Sequence, residues 1–246
     1  MLVVSNGAFK SGSTWLFNIA RSITQFPPPP ESYLNPEWEN PSIHPNELKA
    51  LLAEEPLEEV DYLVKNHFGS RDERDLLLKN EHVRVLNITR DLRDVVVSAY
   101  YHYRREEGYD VPFKQYYWKR GRYVAKKVRE YHSVWDVPSS RVYLSSFKEL
   151  KKNFAEECER IGALLGYELS VTQIQNVKDE TSIQSLRKAY DNDDFFRNGK
   201  RGDWQNHLTA RMEKDVSRIA DRAGIESFSV AGWVDRVWAE MISWTK

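Results

Sequence analysis

Lys10-Ser11-Gly12-Ser13-Thr14-Trp15 puts a cation, three hydroxyls and a glycine into one short turn. That combination suits an anion. Glycine admits the positive φ that lets neighbouring backbone N–H groups converge. A helix starting there adds its N-terminal donors and the positive end of its dipole. With Gly7 five residues before Gly12, the segment fits the opening of a G-x-x-x-x-G-K-[ST] nucleotide loop, but Ser13 stands where the lysine belongs and Lys10 lies three positions upstream. A triphosphate enzyme needs that lysine on the β- and γ-phosphates and a hydroxyl on magnesium. The displaced lysine therefore points to another anion. An ordinary strand–helix turn capped by Ser13 is the alternative that this segment alone leaves open.

Two more clusters carry anion chemistry. Arg90 follows the apolar run Val83 to Ile88, and Ser98 comes eight residues later, about two turns into a helix. A guanidinium at a strand end can fork onto a phosphate. The competing reading is a helix-capping segment with an Asp94 ion pair, which is worth little at a surface. Downstream, Arg197-Asn198-Gly199-Lys200-Arg201-Gly202-Asp203-Trp204 places three cations within five residues, next to Phe195 and Phe196. It reads as an anion clamp or as a solvated basic turn. A base is also available. Of the six histidines, His67 in Lys65-Asn66-His67 directly follows an apolar run, and imidazole is suited to take a proton near neutral pH. Lys-x-His triplets arise readily by chance, so placement has to carry that assignment.

In this order, spanning residues 7 to 204, the clusters resemble the PAPS-dependent cytosolic sulfotransferases (PAPS is 3′-phosphoadenosine 5′-phosphosulfate). Lys10 to Trp15 is similar to that family's 5′-phosphosulfate loop. The resemblance implies that Lys10 contacts the bridging oxygen of the leaving group, that Ser11, Gly12, Ser13 and Thr14 cradle the phosphosulfate, and that Trp15 stacks on adenine. Arg90 and Ser98 match the pair holding the 3′-phosphate. Arg197, Asn198 and Gly199 fall in an R-x-G-x-x-G-D-W segment that folds over the cofactor. Lys65-Asn66-His67 resembles the catalytic K-x-H, with His67 as general base and Lys65 assisting, so the implied catalytic set is His67, Lys10, Lys65 and Ser98. Phe147 stands where the family has an adenine-packing tyrosine, and Thr181 belongs to another adenine-side segment in which Ile183 replaces a common aromatic. The implied reaction moves a sulfuryl group from PAPS to a hydroxyl or amine of a small acceptor and leaves PAP, without a metal. The family's dimer motif retains only Thr209, so a monomer or a different dimer is expected. A P-loop kinase using ATP and magnesium, or a non-catalytic nucleotide-binding relative, are the competing functions. The displaced lysine speaks against the first, and the retained Lys10, His67 and Ser98 against the second.

Such groups need a scaffold that brings them to one edge. Strands are predicted at Met1–Ser5, Asp61–Lys65, Val83–Ile88 and Arg141–Ser145. Helices are predicted at Ser13–Thr24, Leu92–Glu107, Arg120–Trp135, Phe147–Leu165 and Thr209–Ala223, with another from Val230. This alternation predicts an α/β three-layer sandwich with a central parallel sheet and a P-loop-like phosphate loop after the first strand. Ligands in such sheets sit beyond the carboxyl ends of the strands. One domain over residues 1–246 is expected from the length. Pro27 to Pro30 opens an extended loop reaching Pro45, either a surface loop or part of a lid or substrate wall. Tyr100, Tyr101, Tyr103, Tyr116, Tyr117 and Trp118 are candidates for the acceptor pocket or for the core.

The charge is balanced, with 36 basic against 37 acidic residues, which argues against a bulk basic field for nucleic acid. Cys158 is the only cysteine, excluding an intrachain disulfide and fitting a reducing compartment. No apolar run approaches the ~20 residues of a membrane helix, and Met1 to Val4 has no basic leader. A cytoplasmic protein without membrane or nucleic-acid partners is expected. The first strand starts at once, earlier than in many relatives, which predicts either an unusual acceptor or a more open acceptor site.

Overall fold

The protein is described here from a computed structural model covering residues 1–190 and 201–221. Four parallel strands, β1 (Leu2–Gly7), β2 (Tyr62–Asn66), β3 (Val83–Thr89) and β4 (Val142–Ser146), form a sheet in the order β2-β1-β3-β4. The helices among the described residues are α1 (Ser13–Thr24), α2 (Leu48–Glu54), α3 (Arg71–Lys79), α4 (Leu92–Glu106), α5 (Phe113–Tyr116), α6 (Arg122–Trp135), α7 (Phe147–Lys152), α8 (Phe154–Leu165), α9 (Val171–Glu180), α10 (Ile183–Ala189) and α11 (Ala210–Asp221). A single π-helical turn, Tyr117–Gly121, joins α5 to α6.

Side chains of alternate strand residues point to opposite faces, and the core divides accordingly. Leu2, Val4, Val64, Val83 and Val85 face one layer, with Val95, Val96, Val128 and Trp135 of α4 and α6. Val3, Leu63, Leu86 and Ile88 face the other, with Leu16, Ile19, Cys158 and Ile161 of α1 and α8. Burial on both faces explains why these strands read as near-continuous apolar runs. The three-layer α/β expectation is met.

Four details differ from the sequence reading. The strands reach one or two residues further toward their carboxyl ends, because Asn6, Asn66 and Thr89 still pair in the ladder although they are polar. The single helix expected over Phe147–Leu165 is two, broken at Asn153 (φ −125°, ψ 47°). Short helices α2, α3, α9 and α10 come without apolar runs long enough to mark them; α3 and α9 start at capping boxes, Ser70 with Glu73 and Ser170 with Gln173. The helix expected over Thr209–Ala223 runs from Ala210 to Asp221, and the stretch from Val230 lies outside the described residues.

The outer edge of β2 is covered rather than bare. Leu63 N donates to Pro27 O at 3.0 Å and Lys65 N to Pro41 O at 2.8 Å, both from the proline-bounded loop. A covered edge cannot template pairing with another chain. No described helix is long and apolar enough to cross a membrane.

Candidate active site

All four strands end at the same edge, and each delivers one cluster there. Gly7 runs into the Lys10 loop, Asn66 into His67, Thr89 into Arg90 and Ser146 into Phe147. Parallel pairing keeps these ends in step, with Asn6 opposite Asn66, Gly7 opposite Ile88 and Thr89 opposite Ser146.

The loop is shaped for a tetrahedral anion. Gly12 has φ +102°, and a Cβ there would lie 2.8 Å from Cδ2 of Phe147, so only glycine fits. Ser11 N donates to Ala8 O at 3.0 Å, closing the turn. No side chain caps the N-terminus of α1, whose first residues are Ser13 and Thr14, leaving its leading donors facing the loop. Ser11 Oγ is buried without a hydrogen-bond partner among the described residues, and a buried hydroxyl is seldom left so. A phosphate oxygen would satisfy both features, so the residues present fit the anion the sequence implies.

Lys10 follows with φ +61°. Burial, together with the nearby Arg105, Arg90 and Lys65 cations, pushes its ammonium down to about 7, against the pull of Glu106. Arg90 Nη1 donates to Lys10 O at 3.1 Å, and its guanidinium carbon stands 4.4 Å from the Phe147 ring centre. Phe147 also meets Trp15 edge-on at 5.6 Å, and Trp15 stacks on Phe154 at 6.0 Å with Lys151 Nζ 4.9 Å from its centre. This aromatic shelf suits a flat base.

His67 is fixed from several sides. Asn6 accepts from Phe68 N at 2.9 Å and donates to Phe68 O at 3.1 Å, while Glu73 accepts from Gly69 N at 3.0 Å and from Ser70 N at 2.8 Å. The imidazole Nδ1 bonds to Gly7 O. A carbonyl only accepts, so Nδ1 carries the hydrogen and Nε2 keeps its lone pair. That lone pair lies 3.5 Å from Lys65 Nζ. Burial first, then the Lys65 and Lys10 charges, push the imidazole down to about 3, while the Gly7 bond opposes them. Lys65 itself is lowered to about 8, mainly by burial. The site therefore holds a neutral histidine with its basic nitrogen turned toward Lys65.

The structure brings Lys10, Ser11, Gly12, Ser13, Thr14, Trp15, Lys65, His67, Arg90 and Phe147 to one edge. Ser98 is half-buried on α4, two turns in from that edge. Thr181 is placed differently: its hydroxyl donates to Val177 O at 2.7 Å and closes α9. Arg197, Asn198 and Gly199 lie outside the described residues. The rest of their motif is visible. Buried Asp94 accepts from Gly202 N at 3.0 Å and Trp204 N at 3.4 Å, and Arg93 stacks on Trp204 at 4.0 Å. Asp94 is thus a backbone anchor, not the surface ion-pair partner of the competing reading.

Sequence reasoning passed over Asn6, Trp38 and His102, and weighed Asp94 only as an ion-pair partner. Trp38, on the proline-bounded loop, has its ring 5.6 Å from that of His67 and 5.9 Å from Lys65 Nζ, which makes the loop a wall of the site. His102 packs on Phe9 at 5.2 Å, and burial first, then the Lys10 and Arg105 charges, lower its pKa. No motif marks these residues; only the tertiary contacts do. Of the aromatic pocket candidates, Tyr100, Tyr103, Tyr116 and Tyr117 are buried in the core, with Tyr116 Oη donating to Val96 O at 3.2 Å. Tyr101 is partly exposed and Trp118 is exposed.

Fold and site together define an α/β domain with a strand–loop–helix cradle shaped for an anion. The sulfotransferase domain family matches residues 3–228, and the chain belongs to that family. Sulfotransferase 6B1 of Danio rerio is 22% identical over 151 residues, covering 55% of this chain and 50% of the relative, so the chain spans about half the length of that relative. Mouse sulfotransferase SULT7A1, solved in complex with PAP, superposes with a TM-score of 0.66 at 17% identity, covering 89% of this chain and 82% of the mouse protein. A retinol dehydratase, solved with androsterone and PAP, superposes with a TM-score of 0.62 at 18% identity, covering 92% and 82%.

Proposed function

We propose that the chain, acting as one domain over residues 1–246 in the cytoplasm, transfers a sulfuryl group from PAPS to a hydroxyl or amine of a small-molecule acceptor. The observation that carries this reading is His67: its Nδ1 is committed to the Gly7 carbonyl, and its Nε2, which keeps the lone pair, lies 3.5 Å from Lys65 Nζ. PAPS, when bound, supplies an activated sulfuryl group. The loop from Ser11 to Thr14 would hold its 5′-phosphosulfate, Arg90 and Ser98 with Arg197, Asn198 and Gly199 its 3′-phosphate, and Trp15 and Phe147 its adenine. Thr181, with its hydroxyl committed to α9, would serve the adenine side by packing alone.

In that frame His67 Nε2 takes the proton of the acceptor as the new oxygen–sulfur or nitrogen–sulfur bond forms. PAPS, held by the loop from Ser11 to Thr14, would give up its sulfuryl group with the 5′-phosphate as leaving group, and Lys10 would stabilise the charge left on that phosphate oxygen. Lys65 balances charge at the sulfuryl oxygens. Trp38 excludes water on the acceptor side.

A thermal-shift comparison of PAP, ADP, and ATP with magnesium at equal concentration tests this. A ligand at ~100 times its Kd adds ~2.7 kcal/mol of stability, which raises Tm by roughly 5–10 °C for a domain of this size. A large shift with PAP and little with ADP is expected. A shift only with ATP and magnesium would replace this reading with a kinase.

A further inference from the structure

The nucleotide loop turns at Lys10, whose φ of +61° is a conformation that residues with a Cβ seldom adopt. Beside the Ser11 N–Ala8 O bond that closes the turn, contacts on either side hold the bend. On one side Phe9 packs its ring on His102 and Tyr103 of α4, at 5.2 and 6.0 Å. On the other, Arg90 reaches from the end of β3 and donates Nη1 to the Lys10 carbonyl at 3.1 Å. Arg90 is itself steadied over Phe147, the ring that fills the space beside Gly12. The charges around the Lys10 ammonium are Arg105 and Glu106 of α4, Arg90 after β3 and Lys65 of β2, and Lys10 in turn acts on His67 and His102.

We propose that Arg90 is a positioning residue for Lys10 as well as a phosphate ligand, so that the occupant of the 3′-phosphate side sets the geometry at the sulfuryl side. The inference rests on the reading of Arg90 and Lys10 given under the proposed function. Arginine suits both roles, because its planar fork can keep one N–H on a carbonyl while it offers others to a phosphate. Lysine, a point charge on a flexible stem, cannot hold both directions at once. A 3′-phosphate that pins the guanidinium pins the Lys10 carbonyl with it. Loss of the 3′-phosphate then lowers turnover itself, beyond its effect on affinity.

The experiment is amide hydrogen exchange of residues 8–12 in the full chain, in the parent and in Arg90→Lys and Arg90→Met. Each is run alone and saturated with PAP or with AMP, which lacks only the 3′-phosphate. Losing one hydrogen bond from a local opening speeds exchange about tenfold. Both variants should show that acceleration in the loop with β1 amides unchanged. PAP should protect the loop more than AMP in the parent and no more than AMP in either variant. A kinetic arm compares PAPS with adenosine 5′-phosphosulfate: kcat at saturating donor should fall without the 3′-phosphate in the parent, and should not respond to it in Arg90→Met. Loop exchange equal to the parent in both variants overturns the proposal. So does equal protection by saturating PAP and AMP in a parent that binds PAP more tightly. If PAP binds the parent no more tightly than AMP, the 3′-phosphate reading falls instead, and the unliganded loops still decide whether Arg90 positions Lys10. Should Arg90→Met fail to fold by circular dichroism, Arg90→Lys supplies the same comparison.

Discussion

Binding of PAP should take up protons, and the amount follows from two lysines. In the free protein Lys10 is pushed down to about 7 and Lys65 to about 8, both first by burial. At pH 8 that leaves about 0.9 of Lys10 and about 0.5 of Lys65 neutral, whereas an ordinary lysine near 10.4 is fully charged. A phosphate beside Lys10, which lies close enough to Lys65 for their charges to act on each other, favours the charged form of both, so PAP should bind with uptake of up to about 1.4 protons. The sign is fixed by linkage. Because the free protein holds fewer protons than the complex, affinity falls as pH rises. Between pH 7.5 and 9.5, where phosphate groups are already ionised, Lys10 alone weakens PAP binding by about 50–100-fold. The same depressed values make the unliganded protein gain stability over this window, since the unfolded chain retains the protons longer. Calorimetry in buffers of different ionisation enthalpy counts the protons. Lys10→Arg, whose guanidinium stays charged, should still bind PAP but take up only about 0.5 proton at pH 8. Proton release on binding, or an uptake unchanged in Lys10→Arg, would refute the reasoning.

His67→Ala should lower kcat by about 10²–10⁴-fold while leaving the PAP thermal shift intact, the signature of a lost general base; loss of PAP binding would instead mark a structural histidine. Gly12→Ala forces a Cβ to 2.8 Å from the Phe147 ring at φ +102°, and calorimetry should show destabilisation by about 1–3 kcal/mol with PAP binding lost. Asp94→Asn leaves the N–H groups of Gly202 and Trp204 with a weaker partner, costing about 1–2 kcal/mol in urea unfolding. Trp38→Ala should raise the acceptor KM without changing PAP affinity, as steady-state kinetics and PAP titration would show.

Much of this was legible in the chain. Apolar runs such as Leu2-Val3-Val4 and Val83-Arg84-Val85-Leu86 mark buried parallel strands whichever way the helices pack, because their burial on both faces is a local property of composition. The cradle was equally legible: Gly12 and its hydroxyl neighbours carry their geometry within a few residues. What composition could not separate were aromatics. Tyr100, Tyr103, Tyr116 and Tyr117 have the same residue types as a ligand pocket, and only the packing of α4 against α5 and α6 assigns them to the core.

The sequence by itself determined which groups are present and that each follows a strand, since motif spacing and hydrophobic period are one-dimensional facts. Tertiary structure decided how those groups act on one another. The tautomer of His67 depends on the carbonyl of Gly7, 60 residues away, and the bend at Lys10 on Arg90, 80 residues away. The low values of Lys10 and His67 arise from burial and from charges on separate strands and on α4. Electrostatic coupling depends on distance through space, and the four parallel strand ends bring these residues within reach of one another.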